Sequence, residues 1–244
     1  MSATPFAKVA SLMLPEPLRI FIGYDSREPI AYHVLAHSII SRATRPVTIS
    51  PVAVKHLDFY TRQRGAREST EFSITRFLVP YLSGYKGHSI FMDCDMLCLT
   101  DITNIWLEIG GQLDKAVLVC QHDYTSKTFT KFLGQSNSNY PRKNWSSFMV
   151  FNNAKCKVLT PDYANTASGL DLHRFNWLKD EEIGSLPLEW NWLVGEYNKN
   201  PNAKFLHYTL GGPWFKDCED CDYADEWFNE FQQASVPTPI GVTL

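Results

Sequence analysis

Short apolar runs alternate with amphipathic stretches and polar turns along the chain, the pattern of strands and helices taken in turn. Leu18 to Gly23 reads LRIFIG, a buried strand ending in glycine. From Pro29, PIAYHVLAHSIISRA spaces Ile30, Val34, Leu35, Ser38 and Ile39 along one helix face, with the proline near the start, where a missing N–H costs little. Val47 to Val54 alternates and is rich in β-branched residues, which predicts a second strand. FSITRFLVPY, Phe72 to Tyr81, predicts a helix broken by Pro80. Further strands are predicted at Ser89 to Met92, Ala116 to Cys120 and Phe148 to Phe151. Near the end, Trp227, Phe228 and Phe231 stand at helical spacing.

Strands alternating with helices predict an α/β fold with a Rossmann-like, mostly parallel central sheet and helices on both faces. Ligands bind such sheets beyond the carboxyl ends of the strands. That rule singles out Tyr24-Asp25, Asp93-Cys94-Asp95 and His122-Asp123. Residues 1–17 read as an irregular lead-in, 18–217 as one catalytic domain, and 218–244 as a partly helical tail whose closing PTPIGVTL is expected to be loose.

At 244 residues the chain can bury a core without disulfide staples. Its 44% hydrophobic and 20% charged residues are ordinary for a soluble globular protein. The net charge of −3 argues against nucleic acid as a partner. Only Arg62, Arg64 and Arg67 cluster, and they read as a solvated loop. No apolar run approaches the ~20 residues that span a bilayer. The start, with one lysine and a brief apolar patch, makes a poor signal peptide, so a cytoplasmic location is expected. Among six cysteines, Cys94 and Cys98 lie in apolar surroundings and read as small core residues. The lone CxxC of Cys218 and Cys221 lacks the second pair a zinc site needs.

The chemistry gathers in two segments. SIFMDCDMLCLTDI places Asp93 and Asp95 two residues apart, directly after an apolar strand. Carboxylates so close repel each other, and a divalent cation is their natural partner. Far downstream, FLHYTLGGPWFK offers His207, an imidazole that favours Mn²⁺ over harder ions, with Mg²⁺ as the alternative. Gly211 and Gly212 would let backbone approach a pyrophosphate, and Lys216 would neutralise its charge.

These segments resemble the GT-A-fold glycosyltransferases, closest to family eight, which includes glycogenin and the lipopolysaccharide galactosyltransferases. The resemblance spans Leu18 to Lys216 and implies a GT-A fold, a UDP-sugar donor and a carbohydrate or other hydroxyl acceptor. IFIGYD resembles the first strand with its uridine-binding loop, which implies donor contacts at Gly23, Tyr24 and Asp25. STEFSITRFLVPYL resembles the helix whose arginine touches the donor, here Arg76. The DxD segment implies that Asp93, Cys94 and Asp95 lie at the nucleotide, with Asp93, Asp95 and His207 holding the metal. NWSSFMVFNN resembles the sugar-contact strand, giving Asn144, Ser146 and Ser147, and LPLEWN the acceptor-side motif ending at Asn191. HYTLGGPW resembles the final diphosphate motif, giving Gly211, Gly212 and Trp214.

Two departures stand out. The family's lysine before Pro-Trp is replaced by Gly212, and the nearest lysine is Lys216. DLHRFN overlays the family's acidic segment with Asp171 and Asn176 matched but Leu172 in place of its glutamine, so a retaining outcome does not follow. For an inverting reaction, Asp171, Asp180 and Glu189 are the candidate bases. The expected function is metal-dependent transfer of a hexose from a nucleotide sugar. A sugar nucleotidyltransferase and an inactive nucleotide-sugar-binding protein are the alternatives. The first is disfavoured by a loop after the first strand with one glycine and no lysine. Acceptor contacts are expected from the Thr125 to Arg142 loop.

Overall fold

The computed structural model describes residues 16–65, 68–135 and 137–236. Arg67, most of the lead-in and the PTPIGVTL tail lie outside them. The strands are β1 Leu18–Gly23, β2 Val47–Val52, β3 His88–Met92, β4 Met96–Cys98, β5 Val117–Cys120, β6 Phe148–Asn152, β7 Ile183–Leu186, β8 Trp192–Leu193 and β9 Phe205–His207. The α-helices are α1 Pro29–Arg42, α2 Val79–Leu82, α3 Ile105–Ile109, α4 Pro161–Thr166, α5 Gly169–His173 and α6 Ala224–Ser235.

The central sheet runs β2-β1-β3-β6-β5-β7. β1 lies parallel to β2 and β3, and β5 parallel to β7. β6 is antiparallel to both of its neighbours. That reversal brings the start of β6 to the same sheet edge as the end of β3. Ser147 can therefore accept a hydrogen bond from the Asp93 backbone at 2.9 Å. The apolar runs of β1, β3, β5 and β6 are buried along nearly their whole length, as strands covered on both faces must be.

A second sheet, β4-β9-β8, sits at the same edge. β4 and β9 pair antiparallel, with Met96 opposite His207, and the Tyr208 N–H bonds the Asp95 carbonyl at 2.8 Å. Behind this sheet α1 and α6 pack together around Val34, Leu97, Leu206, Tyr208 and Trp227. The carboxylate of Glu230, itself buried, ties the two helices by meeting Arg42 and His37.

One predicted element differs. The stretch predicted as one helix over Phe72 to Tyr81 is a 3₁₀ turn, Thr75–Leu78, running into α2. Pro80 lies in the first turn of α2, where it is tolerated, instead of breaking a longer helix. The acidic LKDEEIG stretch forms only the 3₁₀ turn Asp180–Glu182 before β7. Cys94 and Cys98 are buried, as expected, and all six cysteines are free thiols. Among the described residues no helix is long and apolar enough to cross a membrane.

Candidate functional site

β3 ends at Met92, and the chain turns through Asp93-Cys94-Asp95 into β4. Asp93 and Asp95 stand at the mouth of the turn, while Cys94 points inward, fully buried, towards Glu28. The β4–β9 pairing then delivers His207. One ligand atom each from Asp93, Asp95 and His207 lies within 4.8 Å of the others, although more than a hundred residues separate the acids from the imidazole.

The three groups fit a divalent cation. Oδ1 of both aspartates is buried and accepts no well-aligned hydrogen bond, although the Arg76 guanidinium forms an ion pair with that of Asp93. Nε2 of His207 lies 3.4 Å from Asp95 Oδ1. Its Nδ1 lies 2.9 Å from Asn191 Oδ1. The Asn191 amide nitrogen is committed to Ser147 Oγ at 2.8 Å and to the Asn144 carbonyl at 3.2 Å. Its oxygen must therefore accept from Nδ1–H, which leaves the Nε2 lone pair facing the acids. Burial raises the Asp93 pKa to about 6, against the Arg76 charge, which lowers it. A bound cation would relieve that cost.

Arg76 is buried and fixed on several sides. Its Nη1 meets Asp93 Oδ1 at 2.7 Å and donates to the Ser146 carbonyl at 3.0 Å. Its guanidinium also lies over the Phe72 and Phe91 rings.

A cavity of about 680 Å³ opens over the triad. Asn144, Ser146, Ser147, Arg76 and Thr209 line it near Asp93, Asp95 and His207, and Lys131, Asn137, Tyr140 and Lys143 line it from the loop between β5 and β6. A second recess of about 470 Å³ is lined by Tyr24, Ala53, Val54, Lys55 and Tyr60 at the ends of β1 and β2. Arg62 and Glu68, 3.4 Å apart, border both spaces.

Not every candidate joins this site. Asp171 is exposed in the first turn of α5, which Ser168 caps, and its carboxylate accepts from Ser168 Oγ and Asn176 Nδ2. Asp180 is 85% exposed and pairs with Arg142. Neither these two nor Glu189 lines the cavity. Each of the two aspartates is held at a surface turn, which explains its sequence context without chemistry. Lys216 is exposed and away from the cavity lining. The Cys94 side chain is fully buried and does not line the cavity. Asp25 serves its own loop: burial works to raise its pKa, but bonds from Arg27 and from the Glu71 N–H outweigh this and hold it low. Gly23 lies under the Phe72 ring, 2.4 Å from where a Cβ would sit. Asn191 bonds His207 and does not line the cavity. Gly211, Gly212 and Trp214 do not line the cavity. Trp214 instead packs over Gly212, with its indole 2.0 Å from the place of a Cβ there, and donates to Glu28 at 3.2 Å. His122 is buried against Tyr197, and Asp123 is exposed.

Other groups were not singled out as ligands from the sequence. Leu172 is fully buried, and its neighbour His173 lines the cavity, with Nδ1 2.7 Å from Ser146 Oγ. Burial, helped by the Arg76 and Arg62 charges, pushes the His173 pKa down to about 3. Arg62 is a wall of the cavity and not a solvated loop residue. Lys131 and Lys143 come from a polar loop without periodicity, so no local pattern could place them.

No protein-family model matches the chain. Protein CDI of Arabidopsis thaliana is 48% identical over 229 residues, covering 89% of this chain and 87% of that one. The chain belongs to the Protein CDI family. This member of the Protein CDI family also resembles solved glycosyltransferases in fold. The galactosyltransferase LgtC, solved with donor and acceptor sugar analogues, superposes with a TM-score of 0.60 at 12% identity, over 91% of this chain and 98% of that one. The bifunctional glycosyltransferase WbbM gives a TM-score of 0.62 at 17% identity over 89% of this chain, which spans only 50% of WbbM. GlyE of Streptococcus pneumoniae gives 0.57 at 13% identity, with 60% of its length covered. The fold of this chain is thus the mixed α/β GT-A fold that the resemblance implied.

Proposed function

We propose that this protein is a metal-dependent glycosyltransferase that takes a hexose from a nucleotide sugar, with UDP as the favoured carrier, and passes it to a hydroxyl acceptor. The observation that carries the reading is the convergence of Asp93, Asp95 and His207 beneath a cavity large enough for a sugar diphosphate. Mn²⁺ or Mg²⁺ held by these three residues would supply positive charge for the diphosphate as it leaves.

The chain's own groups fill the other roles. Asn191 keeps the His207 lone pair directed at the ligand position. Asn144, Ser146 and Ser147 present polar groups to the sugar. Tyr24 and the ends of β1 and β2 form the recess suited to the nucleoside. Arg76, already paired with Asp93, holds that carboxylate ionised and in place.

Among the described residues lining the cavity, Glu68 is the only carboxylate besides Asp93 and Asp95, and Arg62 engages it. That arrangement favours transfer in which the departing diphosphate itself takes the acceptor proton, with attack on the same face and retention at the anomeric carbon. The test is a panel of nucleotide sugars incubated with Mn²⁺ and the protein, followed by detection of free nucleoside diphosphate. Release that disappears in Asp95→Ala supports the reading; release that persists in that variant rejects it. Pyrophosphate as the product would move the protein to the nucleotidyltransferases.

A further inference from the structure

The cavity carries more positive charge than its own carboxylates use. Arg62 is matched by Glu68 and Arg76 by Asp93. Lys131, Lys143 and Arg174 have no carboxylate within hydrogen-bond or ion-pair reach among the described residues. Lys143 spends its ammonium on Asn137 Oδ1 at 2.6 Å and on the Tyr124 ring. Arg174 belongs to the far wall beside His173.

Lys131 is placed differently. Its Nζ donates to Thr209 Oγ1 at 3.2 Å, and Thr209 lies two residues past His207. An ammonium has three donors. Two remain for the cavity. Asp95 and Asp93 are the charges that favour its protonated form, against a burial that lowers its pKa.

The loop that carries Lys131 is held firmly. Asn137 is buried and donates to Ser126 Oγ and to the Thr128 carbonyl, at 2.6 and 3.0 Å. Glu196, also buried, accepts from the Ser126 hydroxyl and the Lys127 N–H. The motif after His207 offers no cation in its place. A side chain at Gly212 would meet the Trp214 ring, and Lys216 is exposed outside the cavity.

Resting on the glycosyltransferase reading, we infer that Lys131 is the protein's diphosphate-binding cation, delivered from the β5–β6 loop to the terminal phosphate of the donor beside the metal ligands. With a divalent ion balancing Asp93 and Asp95, a nucleoside diphosphate brings uncompensated negative charge into the cavity. Lys131 meets it with free donors, a charge-assisted contact that strengthens as the diphosphate departs.

The experiment measures binding by calorimetry in Mn²⁺, using UDP, UMP and inorganic pyrophosphate as probes. The proteins are wild type, Lys131→Met, Lys131→Arg and Lys216→Met, each checked by thermal melting. Lys131→Met is expected to weaken UDP and pyrophosphate by about 10–100-fold. UMP affinity should change by about twofold at most, since UMP lacks the outer phosphate. Lys131→Arg should keep most of the affinity, and Lys216→Met all of it. If Lys131→Met does not fold, Lys131→Gln carries the same comparison, because its amide can still reach Thr209.

Unchanged UDP and pyrophosphate affinity on loss of the Lys131 charge overturns the inference and leaves the glycosyltransferase reading standing. Equal losses for UMP and UDP overturn it too, as a general structural effect. Wild type that binds pyrophosphate but no UDP, with the Lys131 dependence intact, upholds the inference and rejects UDP as the carrier. Wild type that binds neither probe rejects both.

Discussion

Asn191 donates its amide to Ser147 and accepts the Nδ1 proton of His207, so one buried side chain joins the loop before β6 to the imidazole that converges with Asp93 and Asp95. Replacing Asn191 with Ala would free the imidazole to rotate and to change tautomer, and would leave a buried N–H unpaired. Metal affinity is expected to fall about 10–100-fold. Titration of the metal-free protein with Mn²⁺ measures this; affinity equal to wild type would remove Asn191 from the site.

The triad is positioned by main-chain bonds, since Met96 pairs with His207 and the Tyr208 N–H meets the Asp95 carbonyl. A site built this way does not depend on its ion for folding. Chelation with EDTA should therefore leave the far-UV circular dichroism unchanged and lower the melting temperature only by the linkage of bound metal to the native state. A cooperative loss of structure on chelation would contradict it.

Glu28 contributes a pH dependence. Burial pushes its pKa up to about 9, with Asp95 and Asp25 adding to the rise and the Trp214 hydrogen bond and Arg27 opposing it. The native state thus holds a proton that the unfolded chain releases above its ordinary value near 4.5. Native stability is consequently drained as pH climbs from that value towards 9. Glu28→Gln has no proton to release. In metal-free protein it should be more stable than wild type at pH 8, with the gap closing towards pH 5, by denaturant melts across the range. A pH-independent difference would mean that Glu28 is ionised in the fold.

Gly212 is the position where a methyl group should do most damage, because the Trp214 ring occupies its space. Trp214 also packs against Tyr208 and Trp227, so the ring has little freedom to move. Gly212→Ala is expected to cost about 1–3 kcal/mol by urea unfolding. Lys216→Ala, four residues on and exposed, should cost almost nothing.

The reaction should proceed without a dedicated carboxylate base. Asp171→Asn and Asp180→Asn are expected to keep nucleotide-sugar turnover within about threefold of wild type, as surface substitutions do. NMR of the product should show the donor's anomeric configuration. Inversion, or a large loss of turnover in either variant, would refute the base-free route.

β1, β3, β5 and β6 were legible because each is a short apolar run buried along most of its length, and β1 begins and ends where its pattern does; β2 was legible from alternation, and β7, with Gly184 and Ser185 at its centre, was not predicted. Asp93 and Asp95 were legible because acids inside FMDCDML have no other reason to be there. His207 was read as a ligand from its residue type and segment and joined to the acids by the family resemblance, while the ladder between distant strands that unites them left no local pattern. The positions read from motifs alone fared unevenly. Gly212 and Asn191 sit where the motif puts them, yet one packs beneath a tryptophan and the other turns its amide to the imidazole. Lys131 and His173 were illegible. The first sits in a loop whose shape depends on Asn137 and Glu196, and the second faces the cavity only because Leu172 claims the core.

The Glu230 carboxylate, buried between Arg42 and His37, clasps α6 to α1, behind the second sheet that places His207 beside Asp95. A protease that clipped off α6 would leave Arg42 without its counter-charge and strip the cover from Tyr208, whose main chain is bonded to Asp95. A cut well outside the cavity would thus loosen the Asp93, Asp95 and His207 cluster before it disturbed the loop from Asn144 to Ser147.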